Sequence, residues 1–480
     1  MWGLGGIGEI GGNKLLLEGR DVGIFLDFGV SMSIKRRFFS LHLRPRTPTY
    51  LGLYLMTGVI PKIKGIYRRD LLRVDESAST ILEKAPSPRI DACIISHAHI
   101  DHYGHLSLLS PDIPVFMGST THLLIKHRQE TSGQREVESQ ILYHRDVEED
   151  SVEERRITTF RTGDKIRLGE LTVKPIHVDH SIPASYGFVI ESSSYTVAYT
   201  GDFRMHGPKS ELTWDFVDEA RGVDALLVEG TRIGEVERVE EQDVRNDVDK
   251  WVKSYKDKLV SILVSEMDFD RLRTVIEVAE ENGRHLILPV RVMKMLESLR
   301  TAQGIKVPDL GDNVSVLLDK RGSGRYDIEK DYRGWMRKAL QQLHDKGVGL
   351  KSGPEIARNQ SKYLLVLSRP ESILELAGIK PEPGSPLILS TSEPHNEEQE
   401  LEHEKLMNWA RLLGLRVFRC HASGHAEQGS ILRLVEEIGA KTIIPIHTED
   451  EELFSKLVSK TMPGSNIIRI GGTQPIITLG

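Results

Sequence analysis

The chain has 480 residues, 39% of them apolar and 28% charged, with a net charge of −7. That length allows two to three cores of ordinary size, and the acidic balance excludes a protein that wraps nucleic acid over its whole surface, so any such contact has to be local. Two cysteines, Cys93 and Cys420, exclude a disulfide scaffold and read as buried thiols of a reducing compartment. The opening residues lack a basic segment followed by an apolar one, and no run approaches the roughly 18 apolar residues of a membrane span. The expected setting is therefore cytoplasmic, with no membrane partner.

In chain order, GLGGIG places Gly3, Gly5 and Gly8 on a dinucleotide fingerprint, with Asp27 about twenty residues on. The fingerprint needs a strand before it and a helix after it. Residues 13–29 instead read as two short strands around a turn, so the glycines read as a turn near the site described below. Residues 31–73 are rich in Lys and Arg (Lys35, Arg36, Arg37, Arg44, Arg46, Lys62, Lys64, Arg68, Arg69) with almost no acids, and Phe38, Phe39, Tyr50, Tyr54 and Tyr67 are interleaved. Such a segment can track phosphates and stack bases, or it can be a basic surface loop that its aromatics anchor to the core.

From about residue 90 to 205, DACIIS, LTVKPIHV, YGFVIES and YTVAYTGD read as strands. After residue 230, strand and helix alternate. SILVS precedes a helix over 268–283, capped by Asp268 or Asp270 and ended by Gly283. Repeated βα units imply a parallel sheet. RGSGR at 321–325 reads as a loop, and the acidic runs VEEDSVEERR and NEEQELEHEK read as solvated helix faces. The tail from 396 returns to helix and strand and carries further histidines, which makes the βα-rich middle an insertion into a first domain that the tail completes.

The sharpest local signal is SHAHIDHYGH, with His97, His99, Asp101 and His102 directly after a strand. Two histidines one residue apart project from the same side of an extended loop and can share a metal. The following turn presents Asp101 and His102 to a second one, and imidazole and carboxylate are suitable zinc ligands. Other candidates end strands in the same way: His177 and His180 after LTVKPI, Asp202 after YTVAYTG, His447 after KTIIPI. A carboxylate such as Asp202 can bridge two metals, which lower the pKa of a shared water and make hydroxide available near neutral pH.

DFG with Asp27, HAHIDH, HSIP with His180 and TGDF with Asp202 resemble the four successive motifs of the metallo-β-lactamase superfamily. VEGTR with Glu229, SGHA with His425 and PIH with His447 resemble the three further motifs of its β-CASP branch, which contains ribonuclease J and the cleavage-and-polyadenylation endonucleases. The resemblance spans residues 5 to 450. It implies an α/β protein: an αββα metallo-β-lactamase fold over 1–230 and 396–480, interrupted by a β-CASP parallel-sheet domain over 231–395.

It also implies roles. His97, His99 and His180 hold one zinc, Asp101, His102 and His447 hold the second, and Asp202 bridges, with manganese as the alternative metal. Asp27 orients a ligand histidine. His425 is the general acid for the leaving oxygen, steered by Glu229. Independently of the resemblance, Ser423 and Gly424 offer a hydroxyl and an unhindered backbone amide before His425, and with His421 they are candidates for holding a substrate phosphate. His at the third β-CASP motif, here His447, marks RNA-cleaving members, and the HSIP motif is similar to ribonuclease J, whose members act as 5′-to-3′ exonucleases and as endonucleases. The implied activity is hydrolysis of single-stranded RNA by a di-zinc-bound hydroxide, and the implied self-partner is a homodimer. Only 33 residues follow His447, too few for the C-terminal domain of bacterial ribonuclease J, and HSIPAS stands where ribonuclease J tends to have HSIPDS. The alternatives are a DNA nuclease of the same branch, a lactonase or thioesterase, which needs no insertion carrying Glu229 and His425, and a non-enzymatic scaffold, which the full ligand set disfavours.

Overall fold

The computed structural model describes residues 1–40, 42–132, 136–149, 151–394 and 397–469. These form two units: Met1–Met205 with Lys209–Glu237 and the chain from Gly424 onward, and His206–Pro208 with Arg238–Ser423.

In the first unit two sheets lie face to face. One runs Trp2–Gly3, Leu15–Glu18, Gly23–Leu26, Ala92–Ile95, Val115–Gly118, Ile157–Phe160. The other runs Asn466–Ile467, Thr442–Ile446, Ala225–Glu229, Thr196–Tyr199, Ser185–Glu191, Leu171–Val178, Ile166–Leu168. Their inner faces interdigitate: Leu15, Leu17, Ile24, Leu26 and Ile94 of the first pack with Phe188, Val197, Tyr199, Leu227 and Ile444 of the second. Each such side chain stabilises by about 1.5–3 kcal/mol on full burial. Helices Ser210–Glu219, Gln428–Ile438 and Glu451–Thr461 bury Phe216, Val217, Leu434, Val435 and Phe454 against the outer face of the second sheet. This is the α/β sandwich the motifs imply.

Strand Thr442–Ile446 pairs in parallel with Ala225–Glu229, Glu229 opposite Ile446. The tail thus returns to the first unit after the inserted segment and sets His447 beside Glu229. Asp27, Ser96, His97, His180, Asp202 and His447 all follow the C-terminal ends of strands, the edge where α/β sheets gather ligands.

The second unit holds a seven-stranded sheet in which every pairing is parallel. Its helix Phe269–Glu281 follows the expected chemistry: Asp268, not Asp270, accepts from the Arg271 amide, and Gly283 turns the chain at φ 61°.

Three readings need correction. The tail does not rejoin the first unit at 396, because strand Arg416–Arg419 pairs in parallel with Pro386–Ser390, and with helix Glu397–Leu412 it belongs to the second unit. The run VEEDSVEERR is not a helix: Val152–Glu154 pairs antiparallel with Tyr143–Arg145. This ribbon is pinned by the buried Arg155, which donates to the carbonyls of Leu106, Leu109, Ser110 and Ile141. Residues 31–73 are not one loop but carry helices Met32–Phe38, Tyr50–Thr57 and Arg69–Val74. Both cysteines are free and buried.

Candidate metal centre

The strand Ala92–Ile95 ends in Ser96 and His97, and a one-turn helix, Ile100–Tyr103, turns Asp101 and His102 back toward them. His97 Nε2 lies 3.0 Å from His99 Nδ1, which lies 3.0 Å from His180 Nε2. Asp202 Oδ2 is 3.6 Å from His97 Nε2, 3.0 Å from His102 Nε2 and 3.7 Å from His447 Nε2. Asp101 Oδ2 is 3.2 Å from His447 Nε2. The seven predicted ligands therefore form two groups that share Asp202, one with His97, His99 and His180, the other with Asp101, His102 and His447. His177 stays outside them, stacked on Tyr186 and bonded to Thr162.

The donor chemistry fits divalent cations. The Ser96 hydroxyl gives its proton to Asp27 at 2.8 Å, so it accepts from His97 Nδ1 at 3.0 Å and leaves His97 Nε2 a bare lone pair. His180 Nδ1 donates to the Gly424 carbonyl, which leaves its Nε2 bare as well. His99 Nδ1 faces both lone pairs, and one proton cannot satisfy two acceptors there. Asp202 Oδ1 is buried without a hydrogen-bond partner among the described residues, and His102 Nε2 is buried against the carboxylates of Asp202 and Asp101, 3.0 and 3.7 Å away. A cation answers each of these deficits.

Electrostatics divides the two groups. Burial, then repulsion from other histidines, holds His97 and His180 well below the ordinary imidazole range, and burial brings His99 to about 4. All three are neutral at pH 7, as metal ligation requires. Around His102, burial favours the neutral ring, but Asp202, Asp101 and Asp27 outweigh it and raise the pKa well above 6.5. Burial opposes ionisation of Asp101 and Asp202, yet His102 keeps both carboxylates charged.

The second group is the more heavily braced. Asp27, at φ 61°, accepts from His102 Nδ1 at 2.7 Å, the Ser96 amide at 2.7 Å and the Tyr199 hydroxyl. Asn13 in turn donates to Tyr199 at 3.0 Å. The glycine-rich turn closes over the other side. Gly12 and Asn13 amides donate to the Asp101 carbonyl at 3.0 and 3.1 Å, and Gly6 accepts from the His447 amide at 2.6 Å. A side chain at Gly11, which has φ 80°, would put its Cβ 2.7 Å from Asp101 Oδ2. Beneath the turn, buried Lys14 donates to the Gly12 carbonyl and to Ser31, which donates to Glu9. The glycines therefore serve close backbone approach to Asp101 and His447.

Glu229, fully buried, accepts from His425 Nδ1 at 3.0 Å, from the Phe203 amide at 3.0 Å and from Thr231. Thr231 also lies 2.8 Å from His447 Nδ1, tying the His425–Glu229 pair to the second group. Burial pulls the His425 pKa down, but Glu229 and then Asp202 reverse it and leave it at about 9.

Among the phosphate candidates, Gly424 packs on His180 so closely that a Cβ would lie 2.9 Å from the ring, so its carbonyl orients that ligand. His421 and Ser423 fall in the second unit, where the Ser423 carbonyl accepts from His206. Ser96, Tyr199, Thr231 and Asn13 were not singled out from sequence. Ser96 and Thr231 sit inside the quoted motifs SHAHIDH and VEGTR, so adjacency was an available signal.

Residues 75–257 match the family described as Beta-lactamase superfamily domain, and residues 413–468 match the Zn-dependent metallo-hydrolase RNA specificity domain. The chain is similar to Ribonuclease J of Sinorhizobium meliloti, 28% identical over 52% of this chain and 44% of that one. It thus spans less than half the length of that relative. It is 23% identical to Ribonuclease J of Thermus thermophilus over 96% of this chain and 72% of that one, and 23% identical to Ribonuclease J of Pyrococcus abyssi over 75% of each. Among solved structures it is similar to a protein of unknown function from Enterococcus faecalis, with a TM-score of 0.71, 19% identity and coverage of 97% and 96%, which speaks for the fold alone. Among the described residues no helix is long and apolar enough to cross a membrane.

Proposed function

We propose that this chain, which belongs to the metallo-β-lactamase superfamily in its β-CASP, ribonuclease J-like branch, is a metal-dependent ribonuclease that hydrolyses single-stranded RNA from the 5′ end and also cuts internally. In this reading the first unit is the metallo-β-lactamase domain and the second the β-CASP insertion. The observation that carries the proposal is the convergence of two ligand groups on Asp202, with the His425–Glu229 pair 3.9 Å away across His425 Nδ1.

His97, His99 and His180 would hold one zinc and Asp101, His102 and His447 the other, with Asp202 between them. Bound there, two dications supply Lewis-acid charge to a phosphate and lower the pKa of nearby water. The residues do the rest. Asp27 and Ser96 fix the tautomers of His102 and His97. Glu229 engages His425 Nδ1, so Nε2 is the nitrogen that carries a proton to the departing 3′ oxygen. Gly424 holds His180 in place, and His421 and Ser423 are candidates to meet the substrate phosphate. The native setting of this reading is cytoplasmic, and the working form is a homodimer.

The test is cleavage of a 5′-monophosphorylated single-stranded RNA, labelled at either end, beside the same sequence as DNA. It is run with wild type, His99→Ala and His425→Ala, with and without a chelator. RNA loss that disappears in the chelator and in both variants supports the reading. Mononucleotides from the 5′ end and discrete fragments report the exonuclease and endonuclease modes. Intact RNA with metal bound overturns it.

A further inference from the structure

We infer that the exposed end of the basic helix Met32–Phe38, with Arg44 and Arg46 beyond it, forms a backbone-tracking platform for single-stranded RNA at the rim of the metal centre. The inference rests on RNA being the substrate. No acidic residue occurs between Asp27 and Asp70, in a chain whose net charge is −7. The structure sorts the basic and aromatic residues of that stretch into two sets. Tyr50, Tyr54 and Tyr67 are buried, and Phe39 packs on Tyr54, so these anchor the segment. Arg68 is fully buried and forms a two-point ion pair with Asp70. Lys35 is paired with Glu138, which Tyr54 also holds.

Arg36, Arg37, Arg44 and Arg46 are exposed. The helix buries none of its residues, and Phe38 at its end is 47% exposed. Met32–Lys35 are half-buried, whereas Arg36–Phe38 are exposed and gain little core energy, so the composition of that end is free to serve something outside the core. Three or four guanidiniums beside an exposed aromatic ring suit phosphates and unstacked bases.

Position supports the assignment. The helix starts directly after Val30, whose amide donates to the Ile100 carbonyl at 3.1 Å, between ligands His99 and Asp101. Ser31 is bonded to Lys14 and Glu9 under the glycine-rich turn. Arg36 and Arg37 therefore lie within about 10 Å of chain from the ligand loop, at ~1.5 Å per residue. An anionic membrane is the other surface such a segment can meet. Insertion needs a broad apolar face, and among the described residues of this segment Phe38 and Leu43 are the large exposed apolar ones.

The test compares wild type with Arg36→Gln/Arg37→Gln/Arg44→Gln and with the matching triple Lys variant. Binding of single-stranded RNA in chelator is measured across a salt series, beside vesicles of phosphatidylglycerol and phosphatidylcholine. Thermal melts confirm that the variants fold. The Gln variant is expected to bind RNA 10- to 100-fold more weakly at low salt, with a slope in log K against log salt shallower by about 2, at ~0.7 per phosphate contact, and the Lys variant to keep most of that slope. Unchanged RNA affinity and slope overturn the inference, as does vesicle binding that alone depends on the arginines. Cleavage by wild type is followed in parallel. If RNA is cleaved but binding ignores the arginines, the platform falls and the ribonuclease reading stands. If binding depends on them but nothing is cleaved, the ribonuclease reading falls, and the arginines remain an RNA-binding surface without the substrate role inferred here.

Discussion

The two halves of the metal centre share one carboxylate and differ in almost everything else. The His97, His99 and His180 side is built of neutral imidazoles, and its protein support is light: the Ser96 hydroxyl behind His97 and the Gly424 carbonyl behind His180. The Asp101, His102 and His447 side adds a carboxylate and is braced by Asp27, Tyr199, Thr231 and the glycine-rich turn. More negative charge and more orientation go together, so the second side should hold its cation more tightly and the first should exchange first.

The most severe way to break this comparison is to remove the shared group. Asp202→Ala should empty both subsites and bring RNA cleavage to the assay background, read by elemental analysis and a cleavage time course. His425→Ala sharpens the contrast between binding metal and using it. It should lower the cleavage rate by about 10²–10⁴-fold with metal content unchanged. Asp27→Asn aims at the braced side alone and should weaken one cation by about 10–100-fold, visible as a split in a chelator competition curve.

Gly11→Ala tests the turn itself. At φ 80° and with Asp101 2.7 Å from the new Cβ, it should cost about 1–3 kcal/mol and lower occupancy of the Asp101 side, read by thermal melting and metal content. The smallest effect is a titration. In metal-free protein His425 should titrate near pH 9, above the ordinary ~6.5. A raised histidine stabilises fully below 6.5 and loses that contribution as pH climbs through 9. Glu229→Gln should lower the value, followed by NMR of the imidazole.

The legible part of this site was the part written locally. His97, His99, Asp101 and His102 are close enough in the chain that spacing alone groups them, and His180, Asp202 and His447, which the fold brings to the same cluster, follow strands in the order of the family motifs. Tyr199 was not legible because its role comes from facing Asp27 across the packed sheets, a partnership 172 residues apart in the chain. The glycine-rich turn was read as lying near the site, but only the fold shows that Asp101 and His447 need its bare backbone. The domain edge at 396 was misplaced for a similar reason. A helix followed by a strand looks the same whichever sheet the strand joins, and Arg416–Arg419 is a short, half-exposed edge strand with little apolar signal. VEEDSVEERR misled because a charge run reports solvation rather than period, and Arg155 within it is buried.

The most direct measurement is the number of divalent cations per chain in wild type, His99→Ala, His447→Ala and Asp202→Ala, after equilibration with zinc and removal of free metal. Two subsites joined by Asp202 predict counts of about two, one, one and zero, following from one ligand set on each side. Counts that do not change between wild type and Asp202→Ala would contradict the shared carboxylate and, with it, the arrangement on which the proposed chemistry depends.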